Sequence, residues 1–215
     1  GDYWGYFETK KYLVMYIADA TGHGLSSAMI TSAARGCFSS LQQLLSEYPE
    51  IPALPSFLLR FANQAVLDSA QEELNMTMFI ATYSFEEQKL YYASAGHNPA
   101  WTINSFQQDS KIKALHSLGP RLGESADFEA PLDQSISFTE NDLLFLYTDG
   151  LLDCTNAQGE FYGRKRAKKV LFDSFKKNAA LPEIKKSIVG QAKKFTQNEP
   201  LADDISFTLF RPKRR

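Results

Sequence analysis

Histidine and cysteine are scarce in this chain, three and two among 215 residues. Zinc hydrolysis wants imidazole or thiolate ligands at close spacing, and His23, His97 and His116 are dispersed, with no HExxH. Cys37 and Cys154 form no CxxC and no disulfide framework, so reduced thiols in a cytoplasmic setting are expected. Neither heads a CxxxxxR loop, which argues against a cysteinyl-phosphate intermediate. A GxSxG nucleophile elbow is missing as well. No apolar run approaches the roughly 20 residues of a membrane span, and no signal peptide opens the chain. An excess of one charge sign is also lacking. The net charge is −2, and the dense basic cluster of the terminal RPKRR reads as a solvated end, so nucleic acid is not an expected partner.

What is present suffices for a core. Hydrophobic residues make up 44% and charged residues 22%, and a globule of this length hides roughly 70% of its unfolded surface without staples. Residues 11–19 read as a strand and 26–47 as a helix, with Ile30, Ala34, Cys37, Phe38, Leu41, Leu44 and Leu45 forming one apolar stripe. Prolines break the chain near 49–55, and 57–67 reads as a second helix. Strands are expected at 76–85 and 90–95 around an EEQK hairpin, then at 100–104, 135–138, 143–148 and 205–210. Helices are expected at 164–175 and 182–195, whereas 105–135 is largely illegible. No repeat or linker interrupts the pattern, which implies a single α+β domain over 1–215. The opening GDYWGYF, without an initiator Met, leads us to expect a piece of a longer protein.

Chemistry shows in where the acids fall. Asp19 closes one apolar strand, Asp149 closes another, Asp203 and Asp204 open the last, and Asp2 stands at the start. Singly, each is an ordinary strand-end residue. Together, converging carboxylates repel one another unless a cation holds them, and no lysine or arginine adjoins these motifs. Oxygen-only donors fit two hard divalent ions, Mg²⁺ or Mn²⁺, of the kind that promote phosphoryl transfer. The turn Gly22-His23-Gly24 feeds a helix N-terminus, a setting that favours an anionic group such as phosphate. It lacks the Lys-Ser/Thr of a P-loop and the third glycine of GxGxxG. Both a packed-loop and a functional reading of His23 stay open, and His97 reads first as part of a structural turn.

In order along the chain stand GDY (1–3), ADATGHG (18–24), SAGHNP (94–99), LGPRLG (118–123), LYTDGLLD (146–153) and ADDIS (202–206). This set resembles the SpoIIE-like, RsbU-type branch of the metal-dependent serine/threonine protein phosphatases, the PPM family. The resemblance implies an α-β-β-α sandwich, two packed antiparallel β-sheets flanked by helices, with a dinuclear Mn²⁺ or Mg²⁺ centre. It implies that Asp19 bridges the metals, that Ala20 offers its carbonyl, and that Asp149, Asp203 and Asp204 complete the site, Asp203 being favoured within its pair. Asp2 matches the family's N-terminal acid. Catalysis would rest on Asp19, Asp149 and Asp203. The implied substrate is a phosphorylated protein, a STAS-type anti-sigma-factor antagonist of a bacterial partner-switching pathway. An N-terminal strand and an upstream sensor or regulatory domain are expected to precede this piece. A homodimer and a membrane-anchored parent with this part in the cytoplasm are both compatible with the resemblance. Rival readings are a pseudophosphatase serving as a binding module, an ATP-binding kinase-like module, and a two-metal phosphohydrolase for small molecules.

Overall fold

Alternation along β2 (Tyr12–Ala20) sets the architecture of the first of two compact units. Val14, Tyr16, Ala18 and Ala20 share one face and join a buried cluster beneath helices α1 (Leu25–Glu47) and α2 (Pro55–Ser69). Asp19, between two of them, falls on the opposite face. The computed structural model describes residues 1–22, 24–69, 74–104, 111–197, 199, 201 and 203–213.

The first unit comprises Gly1–Pro99 and Leu115–Thr139. Its sheet has the order β1-β2-β3-β4-β7, with β1 spanning Asp2–Glu8, β3 Met76–Ser84, β4 Lys89–Ala95 and β7 Gln134–Ser137. Every neighbouring pair is antiparallel. The EEQK hairpin forms as expected, Gln88 taking a left-handed φ of 50° and donating its N–H to the Ser84 carbonyl. The stripe read on α1 is the buried one, with Ile30, Ala34, Phe38, Leu41 and Leu45 against the sheet. α2 begins two residues earlier than its apolar pattern, because proline is tolerated in a helix's first turn. The Asp133 carboxylate accepts from both the N–H and the hydroxyl of Ser56, capping α2 from 77 residues away.

The second unit comprises Ala100–Ala114 and Glu140–Arg215. Its sheet has the order β6-β5-β8-β9, with β5 at Ala100–Ile103, β6 at Ile112–Leu115, β8 at Leu143–Tyr147 and β9 at Phe207–Phe210. All five residues of β8 are buried, as its unbroken apolar run predicts. Leu143, Phe145 and Tyr147 join a cluster with α3 (Gly150–Asp153), α4 (Gly163–Lys176) and α5 (Leu181–Thr196). Trp101 lies 4.5 Å from Tyr147 and 5.7 Å from Phe145, ring centre to ring centre. β9 is two residues shorter than expected at its start. Residues 205–206 are held instead by hydrogen bonds between Thr148 and Ser206. Among the described residues, no helix is long and apolar enough to cross a membrane.

Candidate metal and phosphate site

The acids singled out in the sequence lie at strand ends in both units. In the first, β1 and β2 pair so that Asp2 faces Asp19 across the ladder. That register sets two carboxylates on the same side of neighbouring strands, an arrangement that is destabilising without a cation. Gly1 is packed hard against this corner. A Cβ there would lie 2.7 Å from Asp19 Oδ1 and 2.9 Å from the Ala20 carbonyl oxygen. The Ala20 N–H donates to the Gly1 carbonyl at 3.2 Å.

The loop leaving β2 is clasped from the side. Thr21 and Asn75 exchange backbone and hydroxyl bonds of 2.7–2.9 Å, so the chain beyond Ala20 has a fixed exit. Gly22 and Gly24 both take left-handed φ values, 83° and 79°, which explains the glycines. Gly24 precedes α1, whose first turn has neither a side-chain cap nor an acidic residue. His23 lies outside the described residues. His97 is buried, 8% exposed, with Nδ1 2.8 Å from Thr77 Oγ1. Thr77 is the β3 partner of Asp19, so this pair braces the strand that bears the carboxylate.

In the second unit Asp149 follows β8 directly and sits at the entry to α3. Gly150 is required for a different reason from the turn chemistry its TDG setting suggests. Its φ is not left-handed, but a Cβ would come within 2.0 Å of the Asp204 carbonyl oxygen. Glycine lets the two acid-bearing loops close on each other. Thr148 and Ser206 tie the same loops with bonds of 3.0–3.3 Å. Carboxylate oxygens of Asp149 and Asp203 consequently lie within 4.8 Å of each other. The Asp204 N–H donates to Asp203 Oδ1 at 2.8 Å, which orients that carboxylate.

Asp153 carries a signal that sequence reasoning did not use. Its carboxyl is pushed above the ordinary range first by burial and then by the charges of Asp149 and Asp203, with the Arg164 guanidinium opposing. Arg164 thus supplies a cation near this cluster, which the sequence pattern had not revealed. The i, i+4 spacing from Asp149 places Asp153 one helical turn on, and that spacing was visible. Burial also raises the Tyr147 phenol to about 12. The donor set is all oxygen, the two carboxylates are close, and their field protonates a neighbour more readily. Such a cluster fits a hard divalent cation.

A family model described as Stage II sporulation protein E (SpoIIE) matches residues 9–213. Phosphoserine phosphatase RsbU of Bacillus subtilis (strain 168) is 28% identical over 214 residues, 99% of this chain and 59% of that protein. The chain therefore spans little more than half the length of that relative. Among solved structures, the SiaA-PP2C domain of Pseudomonas aeruginosa matches with a TM-score of 0.79 at 20% identity, covering 99% of this chain and 80% of that one. RsbX in complex with magnesium matches with a TM-score of 0.63 at 17% identity, over 97% of this chain and 85% of RsbX. These likenesses show the fold, the α+β arrangement of the PP2C domain.

Proposed function

The chain belongs to the SpoIIE family, and from that membership we propose that residues 1–215 act as one catalytic domain removing phosphate from phosphoserine or phosphothreonine in a protein. The observation that carries this reading is the Asp149–Asp203 pair, two carboxylates brought within 4.8 Å where the fold closes TDG on DDI.

Asp19, Asp149 and Asp203 are read as ligands of two divalent cations, Mn²⁺ or Mg²⁺, with Asp2, Asp204 and the Ala20 carbonyl completing the set. When bound, such ions supply Lewis acidity, which polarises phosphoryl oxygens and makes water a competent nucleophile. The protein's own part is positional. The Thr21–Asn75 clasp and the Thr77–His97 contact hold the end of β2, so Asp19 does not reorganise as charge develops. The Asp204 N–H and the Thr148–Ser206 bonds do the same for Asp203 and Asp149. The glycine turn before α1, with its uncapped first turn, suits the phosphate.

The named relative is a phosphoserine phosphatase, which supports a phosphoprotein substrate. A STAS-type anti-sigma-factor antagonist, an upstream regulatory segment and a cytoplasmic setting complete the proposal. The same fold used as a binding module without turnover is the competing reading.

Release of phosphate from a phosphoserine peptide, with Mn²⁺, with EDTA, and with Asp149→Asn, decides between them. Turnover lost on chelation and reduced at least about a hundredfold by the substitution is expected. A folded protein that binds Mn²⁺ and hydrolyses neither the peptide nor p-nitrophenyl phosphate would move the assignment to the binding module.

A further inference from the structure

A groove of about 440 Å³ runs along the β1 edge of the first unit and is lined by Asp2, Tyr3, Trp4, Tyr16, Arg35 and the Thr31–Ser32 turn of α1. Its hydrogen-bonding character can be worked out atom by atom. The hydroxyls of Thr31 and Ser32 donate to the Ala28 carbonyl, so neither proton is free for a ligand. Tyr3 donates to the Tyr16 hydroxyl at 3.2 Å, which spends Tyr3's proton and leaves that of Tyr16. Tyr16 is 7% exposed, and Gly5 presses on its hydroxyl so closely that a Cβ there would lie 2.4 Å away. The ring cannot swing aside, and Phe38 stacks on it at 4.0 Å. Arg35 is exposed and, among the described residues, forms no ion pair. Its guanidinium acts on both Tyr3 and Tyr16, favouring their ionised forms. Trp4, 56% exposed, adds an indole N–H and a flat apolar wall.

The lining therefore includes one unpaired guanidinium, one fixed phenol donor, one tryptophan and a single acid, Asp2. A ligand that pairs with that guanidinium carries negative charge. We propose that this groove is a substrate subsite that takes the acidic residue flanking the phosphorylated residue of the protein substrate, with Arg35 pairing its carboxylate and Trp4 covering its backbone. The proposal rests on the phosphatase reading, since Asp2, one of the acids read there as metal ligands, also lines this groove. The volume exceeds what a lone phosphate fills and suits a short stretch of extended peptide. Guanidinium to carboxylate is the planar, two-bond recognition for which arginine is chosen over lysine.

The test is a cycle of protein and peptide changes. Two tryptophan-free phosphoserine decapeptides are compared, one with aspartates beside the phosphoserine and one with alanines there. Each is titrated into wild type and Arg35→Ala, reading Trp4 fluorescence, and each is hydrolysed with Mn²⁺. The only other tryptophan, Trp101, is buried in the second unit. The aspartate peptide should bind about fivefold more weakly to Arg35→Ala, with the loss in KM rather than kcat, while the alanine peptide changes by less than about twofold. Arg35→Glu should prefer a lysine-flanked peptide. Equal losses for both peptides, or no fluorescence response to either in wild type, overturn the subsite. Failure of the phosphatase reading is seen separately, as binding with the expected preference but no phosphate release.

Discussion

Replacing Gly150 by alanine sets a methyl carbon 2.0 Å from the Asp204 carbonyl oxygen. Ordinary carbon–oxygen contact begins near about 3.4 Å, so about 1.4 Å of separation has to be found. The obstructing atom belongs to the backbone, so no rotamer change relieves it. The TDG turn and the loop before β9 must part, and the Thr148–Ser206 bonds hold them together from the other side. Overpacking that displaces backbone and strains such bonds costs about 2–4 kcal/mol. With a urea m-value of roughly 2–3 kcal/mol/M for a chain of this size, the midpoint should fall by about 1 M. The assay is urea unfolding followed through tryptophan fluorescence, with Trp101 reporting on the second unit, where the clash lies. Gly190→Ala is the control. Gly190 lies within α5, and an added methyl would meet nothing within 4 Å, so alanine there should raise stability by about 0.5–1 kcal/mol. If Gly150→Ala unfolds within about 0.2 M of wild type and binds Mn²⁺ equally well, the close approach of the two loops is wrong.

Two further expectations follow from other parts of the molecule. Phe38 is 1% exposed and stacks on Tyr16, so Phe38→Ala should cost about 3–5 kcal/mol in thermal or urea unfolding; a loss under about 1 kcal/mol contradicts the packing described for α1. Burial raises the Cys37 thiol to about 11. At pH 8 about a thousandth of it is then thiolate, and its alkylation by iodoacetamide, read by peptide mass spectrometry, should speed roughly tenfold per pH unit up to about pH 10. A rate that levels off near pH 9 would mean an unperturbed thiol.

The parts of the fold that could be read from sequence are those in which one strong local pattern decides the matter. The α1 stripe, the apolar run of β8 and the EEQK turn each depend on residues a few positions apart. β1 was missed although its alternation is present, because Trp4 and Tyr6 are exposed and Gly5 interrupts the run. β6 is four residues long and sits in a polar stretch, so its pairing with β5 had no local signature. The same division holds at the candidate site. Acids at strand ends are visible in a list of letters, as is the TDG glycine. That this glycine answers to the Asp204 carbonyl, 54 positions on, and that Asp133 caps α2 are contacts no window of sequence contains.

The two units are interleaved along the chain, one ending at Pro99 to resume at Leu115, the other pausing at Ala114 to resume at Glu140. During synthesis the first unit's residues are complete at position 139, when the second has only β5 and β6. β8 then emerges with β5 available on one edge and its other partner, β9, still about sixty residues from being made. At roughly 5–20 residues per second the ribosome leaves that wholly apolar strand half-paired for roughly 3–12 s. The interval is long compared with hydrophobic collapse. The growing chain thus passes through a stage in which its stickiest segment has an open edge, and a translational pause between 147 and 207 would prolong it.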